Sequence, residues 1–144
     1  RLSSTKVSAH LGAGVLEKQA DFRLMQWLTI QEAKFPITIY ECDSTATNWT
    51  RRCMRQADLI LVIALGTNKP PRKIFADERG DINQDGIRTT KELVLLWPED
   101  TTTPSGTYEW LRGSWFSSHH HIRAPSRMFQ WKDSRRPSRD SLSP

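Results

Sequence analysis

The sequence predicts an α/β fold: a partial Rossmann-like or P-loop-like sheet that is open, mainly parallel and flanked by helices. Residues 59–65 form an apolar run without a polar face, and residues 93–97 repeat that pattern before Pro98. Strands of this kind are typical of parallel sheets with helices on both faces. Because amphipathic helical patterns alternate with these strands, we expect right-handed βαβ connections and a sheet of three or four strands.

The segment before the first apolar strand predicts a helix followed by a strand. Apolar residues recur at helical spacing over residues 18–34, with charged residues mostly opposite, so we expect an amphipathic helix there. Pro36 ends this helix, because a proline disfavours helical geometry in the residue before it. Residues 37–40 then alternate in the manner of a β-strand, which Asp43 closes.

A second helix is predicted to begin near Asn48, capped by one of the polar residues in 44–47. Trp49, Cys53 and Ala57 recur every fourth residue, so we expect them to share one face that packs against the sheet. The outward face carries three arginines, Arg51, Arg52 and Arg55.

The rest of the chain predicts shorter elements. We expect a short helix around residues 74–78 and another that ends at Leu111 and is capped by Ser105 or Thr107. No secretory signal opens the sequence. The apolar run over 59–65 is far shorter than the ~20 residues that a membrane-spanning helix needs.

Composition and charge divide the chain into three parts. Residues 1–17 are expected to be a loop or the remainder of a preceding element, residues 18–129 an α/β domain, and residues 130–144 a disordered basic tail. Six basic and two acidic residues lie in 123–144, so this end holds four of the five net positive charges. Because the folded part is close to neutral, we expect no nucleic-acid partner.

No motif for nucleotide or acyl-transfer chemistry occurs in the sequence. Phosphate-binding loops need G-x-x-x-x-G-K-[ST] or G-x-G-x-x-G, the nucleophile elbow needs G-x-S-x-G, and none of these is found. Asp43, at a predicted strand end, has the position of a Mg²⁺-ordering carboxylate in a P-loop enzyme, but a lone aspartate there is more often a helix cap or turn residue. We therefore predict no catalytic residue, no cofactor and no cofactor-binding residue.

One stretch matches a calcium loop. Asp81, Asn83, Asp85 and Glu92 occupy the first, third, fifth and twelfth places of D-x-[DN]-x-[DN]-G-x5-E, and Ca²⁺ coordination requires oxygens at these places. Two features favour a solvated turn instead. Arg88 takes the eighth place, where such loops carry an aliphatic residue, and Glu92 precedes a strand when it should open a helix. The calcium site and the turn are alternatives here.

The histidines at 119–121 and the two cysteines, Cys42 and Cys53, are further candidates for chemistry. In a strand only His119 and His121 share a face, and tetrahedral zinc needs more ligands, so we predict no metal there. Two thiols without a dense disulfide framework indicate a reducing compartment.

Three stretches carry a family resemblance: QWLTIQE, WTRRCMRQADLILVIALG and KELVLLWPE, together with tryptophans at 27, 49, 97, 110 and 115. They resemble the neuropathy target esterase family of patatin-like lysophospholipases, in the P-loop-like region between the cyclic-nucleotide-binding domains and the patatin catalytic domain. The resemblance covers residues 2–129. From Gln130 the chain departs from the family pattern, and a fragment, a splice form and a mis-joined reading frame are the alternatives.

The resemblance implies a parent protein that hydrolyses lysophosphatidylcholine-type acyl esters with a serine–aspartate dyad. It also implies anchoring at the endoplasmic reticulum membrane, with this region on the cytosolic face. The family's catalytic serine and aspartate correspond to no residue of this chain, and its first strand and phosphate-loop region would lie upstream of Arg1. The implied partners are the adjoining cyclic-nucleotide-binding-like and patatin domains, with membrane contact through the parent. We thus expect a non-catalytic linking or regulatory domain; the alternative is a calcium- or nucleotide-responsive binding module.

Overall fold

The computed structural model describes residues 1–17, 21–71 and 89–129. The elements in chain order are β1 (Leu2–Ser3), α1 (Ser4–Leu11), a 3-10 turn (Ala13–Val15), α2 (Phe22–Lys34), β2 (Tyr40–Glu41), α3 (Asn48–Gln56), β3 (Leu59–Leu65), β4 (Thr90–Pro98), α4 (Thr107–Arg112), β5 (Ser118–Ala124) and a second 3-10 turn (Ser126–Met128). Strands β1 and β2 are parallel, as are β4 and β5. Together with the helices, these pairs confirm the predicted α/β fold class.

The chain divides into two compact units. Arg1–Ile60 belongs to the first unit, and residues 61–71 and 90–129 belong to the second. Among the described helices, none has the length and apolarity needed to cross a bilayer.

The first unit is built on the two-stranded sheet of β1 and β2, in which Leu2 lies opposite Tyr40. Its core takes side chains from β1 and from all three helices. The buried members are Leu2, Val7, Val15, Leu24, Leu28, Trp49 and Cys53. The predicted apolar faces are confirmed for Leu24 and Leu28 on α2 and for Trp49 and Cys53 on α3. Ala57, also predicted on the face of α3, follows the helix as its C-cap and is half-buried.

Side-chain caps fix the starts of α2 and α3 in this unit. Asp21 precedes α2 and accepts hydrogen bonds from the N–H groups of Arg23 at 2.9 Å and Leu24 at 3.4 Å. Thr47 precedes α3 and accepts from the N–H of Thr50 at 3.1 Å. Thr47 is one of the polar residues predicted to cap this helix, so that prediction is confirmed.

The three-stranded sheet, in the order β3-β4-β5, belongs to the second unit except for the first two residues of β3. In the pairing of β4 with β5, Leu95 lies opposite His121. Leu93, Val94 and Leu95 are all buried, as predicted for a strand covered on both faces. The core of this unit consists of Leu93, Leu95, Trp97 and Trp110, with Val62, Ala64, Leu111 and Phe116 packed against it.

Four local predictions differ from the structure. The segment expected to be a loop or the remainder of a preceding element contains β1 and α1, so the loop alternative is wrong there. Helix α1 was not predicted because its sequence is rich in serine. Ser3 nevertheless caps this helix by accepting a hydrogen bond from the N–H of Lys6 at 3.3 Å. The strand predicted over 37–40 is reduced to Tyr40–Glu41, and Ile37 is 78% exposed.

The third difference concerns α4, which begins at Thr107. Its N-cap is Gly106, with φ of 75° and no side-chain cap bond, so neither Ser105 nor Thr107 is the cap. Gly106 adopts a left-handed conformation that suits glycine. Hydroxyl residues flank Gly106 in the sequence, but the glycine between them occupies the cap position.

Strand β3 is covered on one face only within the described residues. Leu59, Leu61 and Ile63 are 44%, 50% and 61% exposed, whereas Val62 and Ala64 pack against the second core. The prediction that both faces of this strand are covered is therefore wrong for the part of the chain that the structure describes. The helix predicted around residues 74–78 and the tail at 130–144 lie outside the described residues.

Candidate functional site

The outward face of α3 carries the largest concentration of like charge on any described helix. Arg51 and Arg55 are exposed and Arg52 is half-buried, while Trp49 and Cys53 on the opposite face lie in the core. No aspartate or glutamate occurs in α3. We call Arg51, Arg52 and Arg55 the arginine surface.

A shallow depression of about 140 Å³ lies along the arginine surface, lined by the three arginines together with Asn48 and Gln56. Glu32 on α2 is bonded to Gln56, which lines this depression. Gln56 Nε2 donates to Glu32 Oε1 at 2.9 Å, and the Tyr40 hydroxyl donates to the same oxygen. Burial and this bond to Glu32 raise the pKa of Tyr40. The arrangement leaves a cationic surface with amide donors, which suits carboxylate or phosphate groups.

Asp43, the candidate Mg²⁺-ordering carboxylate, is bound by hydroxyl groups. Ser4 Oγ donates to Asp43 Oδ1 at 2.5 Å and Thr47 Oγ1 donates to Oδ2 at 2.7 Å. Its own N–H donates to Thr50 Oγ1 at 3.1 Å. Asp43 therefore connects the end of β2 to the starts of α1 and α3, which agrees with the turn-residue alternative.

The thiols of the two cysteines interact with each other. Cys42 follows β2 and is exposed, and Cys53 on α3 is 2% exposed. A hydrogen bond with Cys53 lowers the pKa of the Cys42 thiol, against the opposing effects of burial and the Asp43 charge. The same hydrogen bond, with burial, raises the pKa of Cys53. Sequence reasoning placed Cys42 at a strand end and Cys53 on an inner helical face, but did not bring them together.

Three ligands of the calcium loop, Asp81, Asn83 and Asp85, lie outside the described residues. The fourth, Glu92, lies within β4, in agreement with the strand predicted there. Its Oε2 is 2.8 Å from His120 Nε2, so a neighbouring strand engages it. The calcium site and the solvated turn stay alternatives.

The histidines of β5 point to both faces of the strand. His119 and His121 share one face, with ring centroids 5.5 Å apart, and His120 lies on the other beside Glu92. Trp97 Nε1 donates to His121 Nδ1 at 2.9 Å. Among the described residues, no group of three or more His, Cys, Asp or Glu side chains is placed to hold a metal ion.

A second depression, of about 370 Å³, lies where β3 and β4 end. Gly66 N–H donates to the Leu96 carbonyl at 2.8 Å, so the chain leaves β3 close to the carboxyl end of β4. The depression is lined by Gly66, Thr67, Asn68, Lys69, Pro70, Trp97, Ser105, Gly106 and Glu109. Ligands of open α/β sheets bind at such ends, but here no glycine-rich phosphate loop follows the strand.

Comparison with known proteins identifies relatives over nearly the whole chain. The profile of the Neuropathy Target Esterase family P-loop like domain matches residues 1–142. Patatin-like phospholipase domain-containing protein ZK370.4 of Caenorhabditis elegans is 65% identical over 131 residues, which are 91% of this chain and 10% of that protein. A second C. elegans protein, the putative patatin-like phospholipase domain-containing protein M110.7, is 47% identical over 131 residues, 91% of this chain and 12% of its own length.

Insect relatives match the same region. Neuropathy target esterase sws of Drosophila sechellia is 41% identical over 134 residues, which are 92% of this chain and 9% of that protein. The chain thus spans about a tenth of the length of the curated relatives that it matches. No solved structure matches it.

Proposed function

Because the chain belongs to the neuropathy target esterase family, as its P-loop-like domain, we propose that it is a non-catalytic linking domain of a lysophospholipase. In this role it positions the patatin catalytic domain against the cyclic-nucleotide-binding-like regulatory domains. The parent protein hydrolyses lysophosphatidylcholine-type acyl esters in lipid metabolism. This region of the parent lies on the cytosolic face of the endoplasmic reticulum membrane.

The arginine surface is the observation that carries the linking role. Exposed arginines on one helical face repel one another, and an opposing carboxylate surface relieves that repulsion. Arginine also binds carboxylates through two parallel N–H donors, which fixes orientation as well as adding affinity. An acidic surface on an adjoining domain of the parent is therefore the proposed partner of α3.

Charge reversal tests this contact. The chain is mixed with the separately expressed adjoining domains, and binding is measured by calorimetry at low and at high salt. We expect the double variant Arg51→Glu and Arg55→Glu to bind at least about tenfold more weakly, and wild-type binding to weaken as salt rises. Arg112→Glu is the matched control, because this exposed arginine lies in the last turn of α4. Equal loss in the control, or no loss in the double variant, would contradict the proposal.

The absence of catalysis is tested on the chain alone. We expect no hydrolysis of phenyl esters or lysophosphatidylcholine above a buffer blank, because the sequence contains no G-x-S-x-G. Turnover that a serine-reactive organophosphate abolishes would overturn the non-catalytic role while leaving the arginine contact untouched.

A further inference from the structure

The end of β2 is held against α3 on both sides of Cys42. The indole N–H of Trp49 donates at 2.8 Å to the carbonyl of the residue before Cys42. The N–H of the residue after Cys42 donates to Thr50 Oγ1 at 3.1 Å. Cys53 lies one helical turn beyond Trp49 on the same buried face. The backbone therefore fixes Cys42 beside the turn of α3 that carries Cys53.

The two thiols differ in access to solvent but share a hydrogen bond. Cys42 is exposed, whereas Cys53 is buried in the first core. They are also the two cysteines of the whole chain. An accessible sulfur next to a sheltered one is the arrangement in which an oxidised cysteine is captured by a resolving thiol.

We propose that Cys42 and Cys53 form a redox-active pair, in which a hydroperoxide oxidises Cys42 and Cys53 then closes an intramolecular disulfide. This pair is a modification site separate from the arginine surface, and the proposal does not depend on the linking role. When formed, the disulfide covalently joins α3 to the end of β2.

The chemistry proceeds in two balanced steps. The Cys42 thiol loses its proton and the thiolate attacks one oxygen of hydrogen peroxide. An S–O bond forms, the O–O bond breaks, and the leaving hydroxide takes that proton to become water. Cys53 sulfur then attacks Cys42 sulfur, the S–S bond forms, the S–O bond breaks, and the second hydroxide takes the Cys53 proton. In total two thiols lose two electrons and two protons, and peroxide is reduced to two waters.

The surroundings of Cys42 favour its role as the first nucleophile. The thiolate is the reactive form of cysteine, and the hydrogen bond from Cys53 lowers the pKa of Cys42. Asp43, the neighbouring charge, acts in the opposite direction. The bonds from Trp49 to the carbonyl before Cys42 and from the N–H after Cys42 to Thr50 hold this backbone against α3, so the resolving sulfur lies on the neighbouring turn of that helix.

Peptide mapping tests the proposal on the whole chain. The reduced protein is treated with a small excess of hydrogen peroxide, blocked with iodoacetamide and digested with trypsin without reduction. Arg51 and Arg52 lie between the cysteines, so trypsin separates peptides 35–51 and 53–55 unless a disulfide joins them. We expect the joined pair, an intact mass lower by two hydrogen atoms, loss of both free thiols, and recovery of both with dithiothreitol.

Two variants assign the roles of the sulfurs. In Cys53→Ala we expect Cys42 to stop as a sulfenic acid that dimedone traps. In Cys42→Ser we expect Cys53 to remain a free thiol under the same treatment, because it is buried. Joined peptides should also form at least about tenfold faster in the folded protein than in concentrated urea, since the fold holds the sulfurs together.

Three outcomes for the peroxide-treated wild-type protein would overturn the proposal. The protein could keep both thiols, it could carry Cys42 as sulfinic acid beside a free Cys53, or it could form only disulfides between chains. Equal rates of joining in folded and urea-unfolded protein would also overturn it. The wild-type map decides the matter even if a variant folds poorly.

Discussion

Replacing Trp49 tests how the centre of the first unit is held together. The ring is 1% exposed and packs in the core with Leu2 and Leu28, while its indole N–H donates to the Glu41 carbonyl at 2.8 Å. Trp49→Ala removes the ring and leaves a cavity, at a cost of about 3–5 kcal/mol. Since small domains are stable by only about 5–15 kcal/mol, we expect this variant to be close to unfolding at room temperature.

A second variant separates packing from hydrogen bonding. Trp49→Phe keeps an aromatic ring in the core but removes the donor to Glu41, so we expect a smaller cost of about 1–3 kcal/mol. Arg51→Ala is the matched control on the same helix. Because Arg51 is exposed, its truncation should change the free energy of unfolding of this chain by less than about 0.5 kcal/mol.

Urea denaturation followed by far-UV circular dichroism measures all three variants. We expect Trp49→Ala to destabilise most, then Trp49→Phe, then Arg51→Ala. In the first unfolding transition, the slope of the free energy of unfolding against urea concentration should be unchanged. Two outcomes would refute the reasoning: a cost below about 1 kcal/mol for Trp49→Ala, or equal costs for Trp49→Ala and Arg51→Ala. Either would mean that α3 does not bury its tryptophan face as described.

Two further predictions concern a close approach and a helix cap. Gly66→Ala should destabilise the chain by about 1–3 kcal/mol, because a β-carbon there would lie 2.4 Å from the Trp97 ring; Gly113→Ala, with no atom within 4 Å, is the control in the same urea assay. Desolvation raises the pKa of Asp21, but hydrogen bonds from the first N–H groups of α2 and the Arg23 charge lower it overall from 3.8. Because the folded pKa is below the unfolded one, the stabilisation is present above pH 3.8 and is lost as pH falls through the folded value. Acid titration of stability should therefore show a steeper fall for wild type than for Asp21→Asn, and equal slopes would contradict this role.

The sequence predicted the elements whose signals are local and redundant. Helix α3 has a polar cap, a four-residue apolar repeat and charged residues opposite, and all three agree on its position. Strand β4 has an uninterrupted apolar run that ends with a proline, and the structure places it at the centre of its sheet. The arginine surface followed directly, because the face opposite a buried stripe of a helix must be the outward one.

The elements that escaped prediction depend on contacts distant in sequence. The two residues of β1 are a strand only because β2 pairs with them, and no periodicity is visible in so short a segment. Strand β5 contains three consecutive polar histidines, and it is a regular strand because it pairs along β4. The contact of Cys42 with Cys53 arises because hydrogen bonds at Trp49 and Thr50 fold the end of β2 onto α3.

The partly uncovered strand β3 has a consequence for how the chain must fold. Its seven residues, LILVIAL, carry no charge and no proline, and such a segment stacks readily with copies of itself when it is unpaired. Asp58, which stands exposed immediately before it, is the kind of flanking charge that keeps hydrophobic strands from associating. During synthesis, β3 can therefore pair either with β4 or with the same segment of another nascent chain. Asp58 favours pairing with β4 without contributing to the packed core.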